Sequence, residues 1–137
     1  EVECGDHYAR SLASYGVFLA ASGYEHHGPQ GHLGFAPRLT PENFKCAFTT
    51  AEGWGSYAQQ SEISNLKSQI AVHWGQLRLR TFSLALPPAL QATTVTVRMA
   101  GKTVPATLSV NHGKAEIKFG EELKLNVGEA LEIGVAS

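Results

Sequence analysis

At Gly23 the spacing of the apolar residues changes from one period to another, and it does not change back. Before that point Tyr8, Leu12, Tyr15 and Leu19 recur at the three-to-four-residue interval of a helix face, and Val17 and Phe18 widen the stripe. After it, apolar and polar residues alternate. Phe44, Cys46 and Phe48 are interleaved with Lys45, Ala47 and Thr49, and Leu66, Ser68, Ile70, Val72 and Trp74 with Lys67, Gln69, Ala71 and His73. A period of two sends successive side chains to opposite faces of a sheet, so one set can be buried and the other left in water. The chain is therefore expected to be mainly β, with a single N-terminal helix.

The helix is expected over residues 6 to 22. Asp6 follows Gly5 and can accept from the first free N–H groups, and Gly23 is suited to the turn that ends a helix. Around the apolar stripe the residues are small: Ala9, Ser11, Ala13, Ser14, Gly16, Ala20 and Ala21. Such a surface packs closely against other helices. Everything downstream reads as strand, so the partners are expected upstream.

Between Gln76 and Leu86 the alternation slips, since Leu77 and Leu79 are odd while Phe82, Leu84 and Leu86 are even. A bulge near Arg80-Thr81 restores the inward set on both sides. Pro87-Pro88 stops that strand. Val95, Val97 and Met99 lead to a turn at Ala100-Gly101-Lys102, and Leu108 and Val110 face Ile117 and Phe119 across Asn111-His112-Gly113. Leu123, Leu125 and Val127 turn at Gly128 into Leu131, Ile133 and Val135. About ten short strands at this spacing imply two packed antiparallel sheets, a β-sandwich. The expected division is residues 1–23 for the helix and 24–137 for the sandwich.

Composition narrows the function classes. A length of 137 residues with 43% hydrophobic content fits one domain with a core, and a formal charge of −1 excludes broad electrostatic attraction to nucleic acid or an acidic membrane. The longest apolar stretch, residues 15–21, is too short to span a bilayer. Charged residues are sparse at 17%, as in a chain that buries surface against something else. The start on Glu1 without Met suggests a fragment, a processed product or a piece of a longer chain. Cys4 and Cys46 make no disulfide framework and no CxxC pair, and are expected to be free, so the compartment stays open between bacterial cytoplasm and periplasm or exterior.

The densest polar cluster is Glu1-Val2-Glu3-Cys4-Gly5-Asp6-His7-Tyr8-Ala9-Arg10. Carboxylates accept from sugar hydroxyls, and Arg donates to sugar oxygens in a fixed fork, so Glu1, Glu3, His7 and Arg10 can hold a polyhydroxylated ligand. The plainer reading is a cap and salt-bridge cluster at a helix start. Glu1 and Glu3, two residues apart, do not suit the carboxylate pair of a glycosidase. His26, His27 and His32 match no standard zinc spacing, and no metal or cofactor is expected. Trp54, Tyr57 and Trp74 are read as core rather than as a platform for sugars.

The run from Glu1 to about Gln60, above all the motifs E-x-E-C-G-x-H-Y-A-R and Gly34-Phe35-Ala36-Pro37-Arg38-Leu39-Thr40-Pro41-Glu42-Asn43-Phe44, resembles the end of bacterial β-glucosidases and glucosylceramidase-like proteins of glycoside hydrolase family 116. The resemblance implies that the helix is the last of an (α/α)6 barrel, with the remainder of the barrel upstream or on a partner chain. It implies a β-glucoside substrate, and a retaining mechanism whose Glu nucleophile and Asp acid/base lie upstream, so that this chain carries no catalytic residue. It places sugar-binding residues at Glu1 and Arg10. On one continuous helix nine residues turn about 900°, which puts those two on opposite sides, whereas Glu3 and Arg10 share one. A break at Gly5-Asp6 is expected to let Glu1 fold back, with Glu3 as the alternate. The other class of function is a non-catalytic β-sandwich module for carbohydrate binding or assembly.

Overall fold

The structure is a computed structural model that describes the backbone from Val2 and the side chains from Leu12 onward. Helix α1 spans Val2–Ser22. It begins before Asp6, so the expected break at Gly5-Asp6 is absent. A glycine inside a helix costs only about 1 kcal/mol relative to Ala, which the surrounding helix-forming residues outweigh. The far end is as the sequence implies. Gly23 adopts φ 59° and its N–H donates to the Leu19 carbonyl at 2.9 Å, while Ser22 Oγ donates to the Phe18 carbonyl at 2.8 Å. Two further carbonyls of the last turn, Ala21 and Ser22, accept from Arg38 and Ala36. These bonds tie the end of the helix to the chain leaving the second strand.

Ten strands follow: β1 Glu25–His27, β2 His32–Phe35, β3 Asn43–Thr49, β4 Gly53–Ser61, β5 Asn65–Ala85, β6 Thr94–Met99, β7 Lys102–Thr103, β8 Ala106–Asn111, β9 Lys114–Asn126 and β10 Ala130–Ala136. The first half of β5 belongs to a sheet ordered β3-β4-β5-β10-β6-β7, and its second half to a sheet ordered β1-β2-β5-β9-β8. The architecture is the mainly β sandwich with one N-terminal helix that the periodicity implied. Pairing is antiparallel except that β2 runs parallel to β5, from His32 opposite Thr81 to Phe35 opposite Leu84. That exception is open to the chain because β3 and β4 intervene and supply a crossover long enough to turn round.

Two strands are long where short ones were expected. Gly75 explains the first. At φ 76° it bends β5 as it leaves one sheet for the other, and a Cβ there would collide with the Glu52 carbonyl. The bulge forms where the alternation slips: the N–H groups of both Arg80 and Thr81 donate to the Gly31 carbonyl, at 2.7 and 3.2 Å. Both hairpin turns also form, with Ala100 and Gly101, and His112 and Gly113, at positive φ. Leu108 lies opposite Ile117.

The two sheets share one core. Leu33, Phe35, Leu79, Phe82 and Ile117 from one meet Tyr57, Ile70, Val97, Leu131 and Ile133 from the other. The Phe35 and Tyr57 rings stack with centroids 3.9 Å apart. Tyr57 is thus core, as expected, and its hydroxyl donates to Gln59 Oε1 at 2.7 Å, with Ser68 Oγ at 3.1 Å. Gln59 Nε2 donates in turn to the Pro41 carbonyl, which satisfies the buried polar set.

Candidate functional site

Of the residues expected to hold sugar, Glu1 lies outside the described residues, and so do the side chains of Glu3, His7 and Arg10. The backbone nevertheless bears on them. Because α1 is continuous from Val2, positions 3 and 10, seven apart, fall on the same side of it.

Farther along α1 the side chains are described, and large apolar ones are bare on both sides of the helix. Leu12 is 73% exposed, Tyr15 52% and Val17 69%. Phe18 and Leu19 are half-buried, and Ser22 is buried at the end where the helix joins the sandwich. From Leu12 to Val17 the helix is thus uncovered, and its last turn joins the sandwich.

A second cluster gathers around Glu25 and His32. Glu25 Oε1 accepts from Ser83 Oγ at 2.6 Å, from Lys114 Nζ at 2.8 Å, and contacts His32 Nε2 at 3.3 Å. His32 Nδ1 lies 2.7 Å from Thr81 Oγ1. Partial burial pushes the Glu25 carboxyl up, but the bonds from Lys114, Ser83 and His32 outweigh it and hold the group down at about 2. Gly34 makes room for the cluster, because a Cβ there would collide with Ser83 Oγ. Ser83 points its proton at Glu25 rather than at the imidazole, so this is a fastening between β1, β2, β5 and β9 and not a nucleophile. Nothing in local spacing could have found it, since its members are up to 89 residues apart.

Trp54 and Trp74, expected in the core, are 47% and 64% exposed. They are cross-strand partners beside the register shift between Trp54 and Gly55; Trp54 keeps the outward parity of β4, and the alternation of β5 lapses at Trp74. Trp54 lies against His73 at 5.4 Å, and His73 Nε2 is 2.9 Å from Ser56 Oγ. Cys46 is half-buried and free, and its desolvated thiol is pushed up to about 11, so it is no nucleophile at neutral pH. Among the described residues no group of three His, Cys, Asp or Glu could hold a metal ion, and no helix is long and apolar enough to cross a membrane.

An open groove of about 620 Å³ lies on the outer face of the β3-β4-β5-β10-β6 sheet. Its charged residues are Lys45, Lys67, Arg98 and Glu132.

No protein-family model and no curated protein matches the sequence. Among solved structures, the chain is similar to an α-L-rhamnosidase from Dictyoglumus thermophilum, at 12% identity over 85% of this chain, with a TM-score of 0.48. It is also similar to a GH31 dextranase from Flavobacterium johnsoniae complexed with isomaltotriose, at 10% identity over 77% of this chain, with a TM-score of 0.43. Both are glycoside hydrolases, and the chain spans 12% and 17% of their lengths. Neither TM-score reaches 0.5, and neither structure is a β-glucosidase of family 116.

Proposed function

We propose that this chain is the C-terminal portion of a retaining β-glucosidase or glucosylceramidase-like glycoside hydrolase. In this reading residues 1–23 supply the closing helix of an (α/α)6 barrel and part of its sugar site, and residues 24–137 form a β domain packed on the barrel. The observation that carries it is a helix left bare on two sides, with Leu12 and Tyr15 on one and Val17 on the other, and with small residues between them. Exposing three large apolar side chains on one helix forfeits about 1.5–3 kcal/mol each, and neighbouring barrel helices would recover it. The motif E-x-E-C-G-x-H-Y-A-R supports the same reading, in which Arg10 and a carboxylate hold the glucose and His7 is a further candidate beside them. The continuity of α1 favours Glu3 over Glu1 as the partner of Arg10.

Arg10→Ala in the full-length enzyme tests it. Loss of a charged donor from a desolvated site should lower kcat/KM on an aryl β-glucoside by about 3 kcal/mol, roughly a hundredfold, with the melting temperature nearly unchanged. Glu3→Gln should follow Arg10→Ala more closely than Glu1→Gln does. A lowered melting temperature with normal turnover per folded molecule would take Arg10 out of the site and reduce the cluster to a helix cap.

A further inference from the structure

The groove on the outer face of the larger sheet has a composition that the barrel reading does not use. Register sets its side chains in rows across the strands. Asn43, Gln60, Lys67, Gly134 and Thr96 form one row, and Lys45, Ala58, Gln69, Glu132 and Arg98 the next. A third, Ala47, Ser56, Ala71 and Ala130, is a shelf of small residues, and beyond it stands Trp54 beside His73. Ala58 and Gly134 are the small residues of the first two rows, among long neighbours. A Cβ at Gly134 would meet Thr96 Oγ1 at 2.8 Å, so a larger residue there would push Thr96 aside.

Charge selects the occupant. Lys45, Lys67 and Arg98 are exposed, and none forms an ion pair among the described residues. Against them stands one carboxylate, Glu132, which leaves the groove positive in a chain of net charge −1. Elsewhere on the described surface Arg78, Arg80 and Lys114 are paired and Arg38, Lys102, Lys118 and Lys124 are not, so it is the grouping of three such cations on one face that marks the groove. Unpaired cations beside the amides of Gln60 and Gln69 suit a ligand with sparse carboxylates and many hydroxyls. Glu132, in the middle of the groove, would repel a dense line of phosphates but accepts from a hydroxyl. From the first row to Trp54 the strands offer roughly 20 Å of continuous surface, at about 3.4 Å per residue.

We propose that this face binds an acidic oligosaccharide, a chain bearing uronate carboxylates, with Lys45, Lys67 and Arg98 on the carboxylates and Gln60, Gln69 and Glu132 on the hydroxyls. The site is separate from the glucose-binding segment on α1 and does not depend on it. The test is titration calorimetry of the 137-residue chain, and of the full-length protein, with a short oligogalacturonate, a neutral gluco-oligosaccharide of equal length and a single-stranded oligonucleotide. Oligogalacturonate should bind both forms, weaken with added salt, and lose about tenfold in affinity in Lys67→Gln and in Arg98→Gln, whose exposed positions leave the fold intact. Equal or tighter binding of the neutral sugar or the oligonucleotide would overturn the proposal, as would absence of binding or its loss in the full-length protein. Glucoside turnover by the full-length enzyme should be unaffected in both variants, so failure here and failure of the barrel reading show in different assays.

Discussion

Glu25 sits where two short strands and two long ones meet, and its carboxylate is the common acceptor of the cluster. Its carboxyl, ordinarily near 4.5, is held at about 2 in the folded chain. A depressed carboxyl contributes stability above the unfolded value and loses it as pH falls through the folded one. The window is therefore about pH 4.5 down to 2. The side chain is 42% exposed, so solvent screening cuts the contribution to about 1 kcal/mol. Urea unfolding at pH 6 and pH 3 should show the wild type losing somewhat over half of that, about 0.6 kcal/mol, more than Glu25→Gln, because pH 3 is still above the folded value. Parallel losses would mean that the cluster contributes nothing as an ion pair. Trp54 and Trp74 teach a different lesson at this scale. Alternation along β4 sends Trp54 outward, as observed, but in β5 it assigns Trp74 inward, and the bend at Gly75 removes the rule at that spot.

Among the elements, α1 and β5 are opposites. β5 is paired along both edges and threads both sheets, and Leu66, Ile70, Leu79, Phe82 and Leu84 along it are fully buried. Helix α1 offers Leu12, Tyr15 and Val17 to solvent and is fastened by its last turn. Amide protection follows the free energy of local opening, which is small for a helix without tertiary cover. Hydrogen exchange on the 137-residue chain should find amides of residues 12–18 exchanging at least a hundredfold faster than those of Ile70, Val72 and Phe82. Comparable protection in a monomer would show that α1 needs no partner, and would remove the observation on which the barrel reading stands.

At the scale of the molecule, the described residues contain a complete sandwich core, and the outer groove holds one carboxylate, Glu132. The charged contacts they do form, Glu25–Lys114, Glu52–Arg78 and Glu122–Arg80, hold strands together at the surface. With nucleophile and acid/base both placed upstream in the proposed enzyme, the 137-residue chain should show no turnover of an aryl β-glucoside above the uncatalysed rate, while the full-length protein does. Activity in the isolated chain would place the catalytic residues here and end that division of labour.

The sequence by itself determined the local features. The change of period at Gly23, the glycines at Gly101, Gly113 and Gly128, the parity slip at Arg80-Thr81 and the stop at Pro87 each act through the backbone of a few neighbouring residues. Those features therefore show in a few letters and recur in the structure. Tertiary structure alone decided what depends on distant neighbours. The passage of β5 between sheets at Gly75 needs the approach of Glu52, and the parallel pairing of β2 needs the β3–β4 crossover. Convergence of Glu25, His32, Ser83 and Lys114, and the rows of the outer groove, arise only when strands far apart in sequence come into register. The start of α1 belongs with these. A cap at Asp6 is a local preference of about 1 kcal/mol, and such a preference yields wherever the helix can propagate past it.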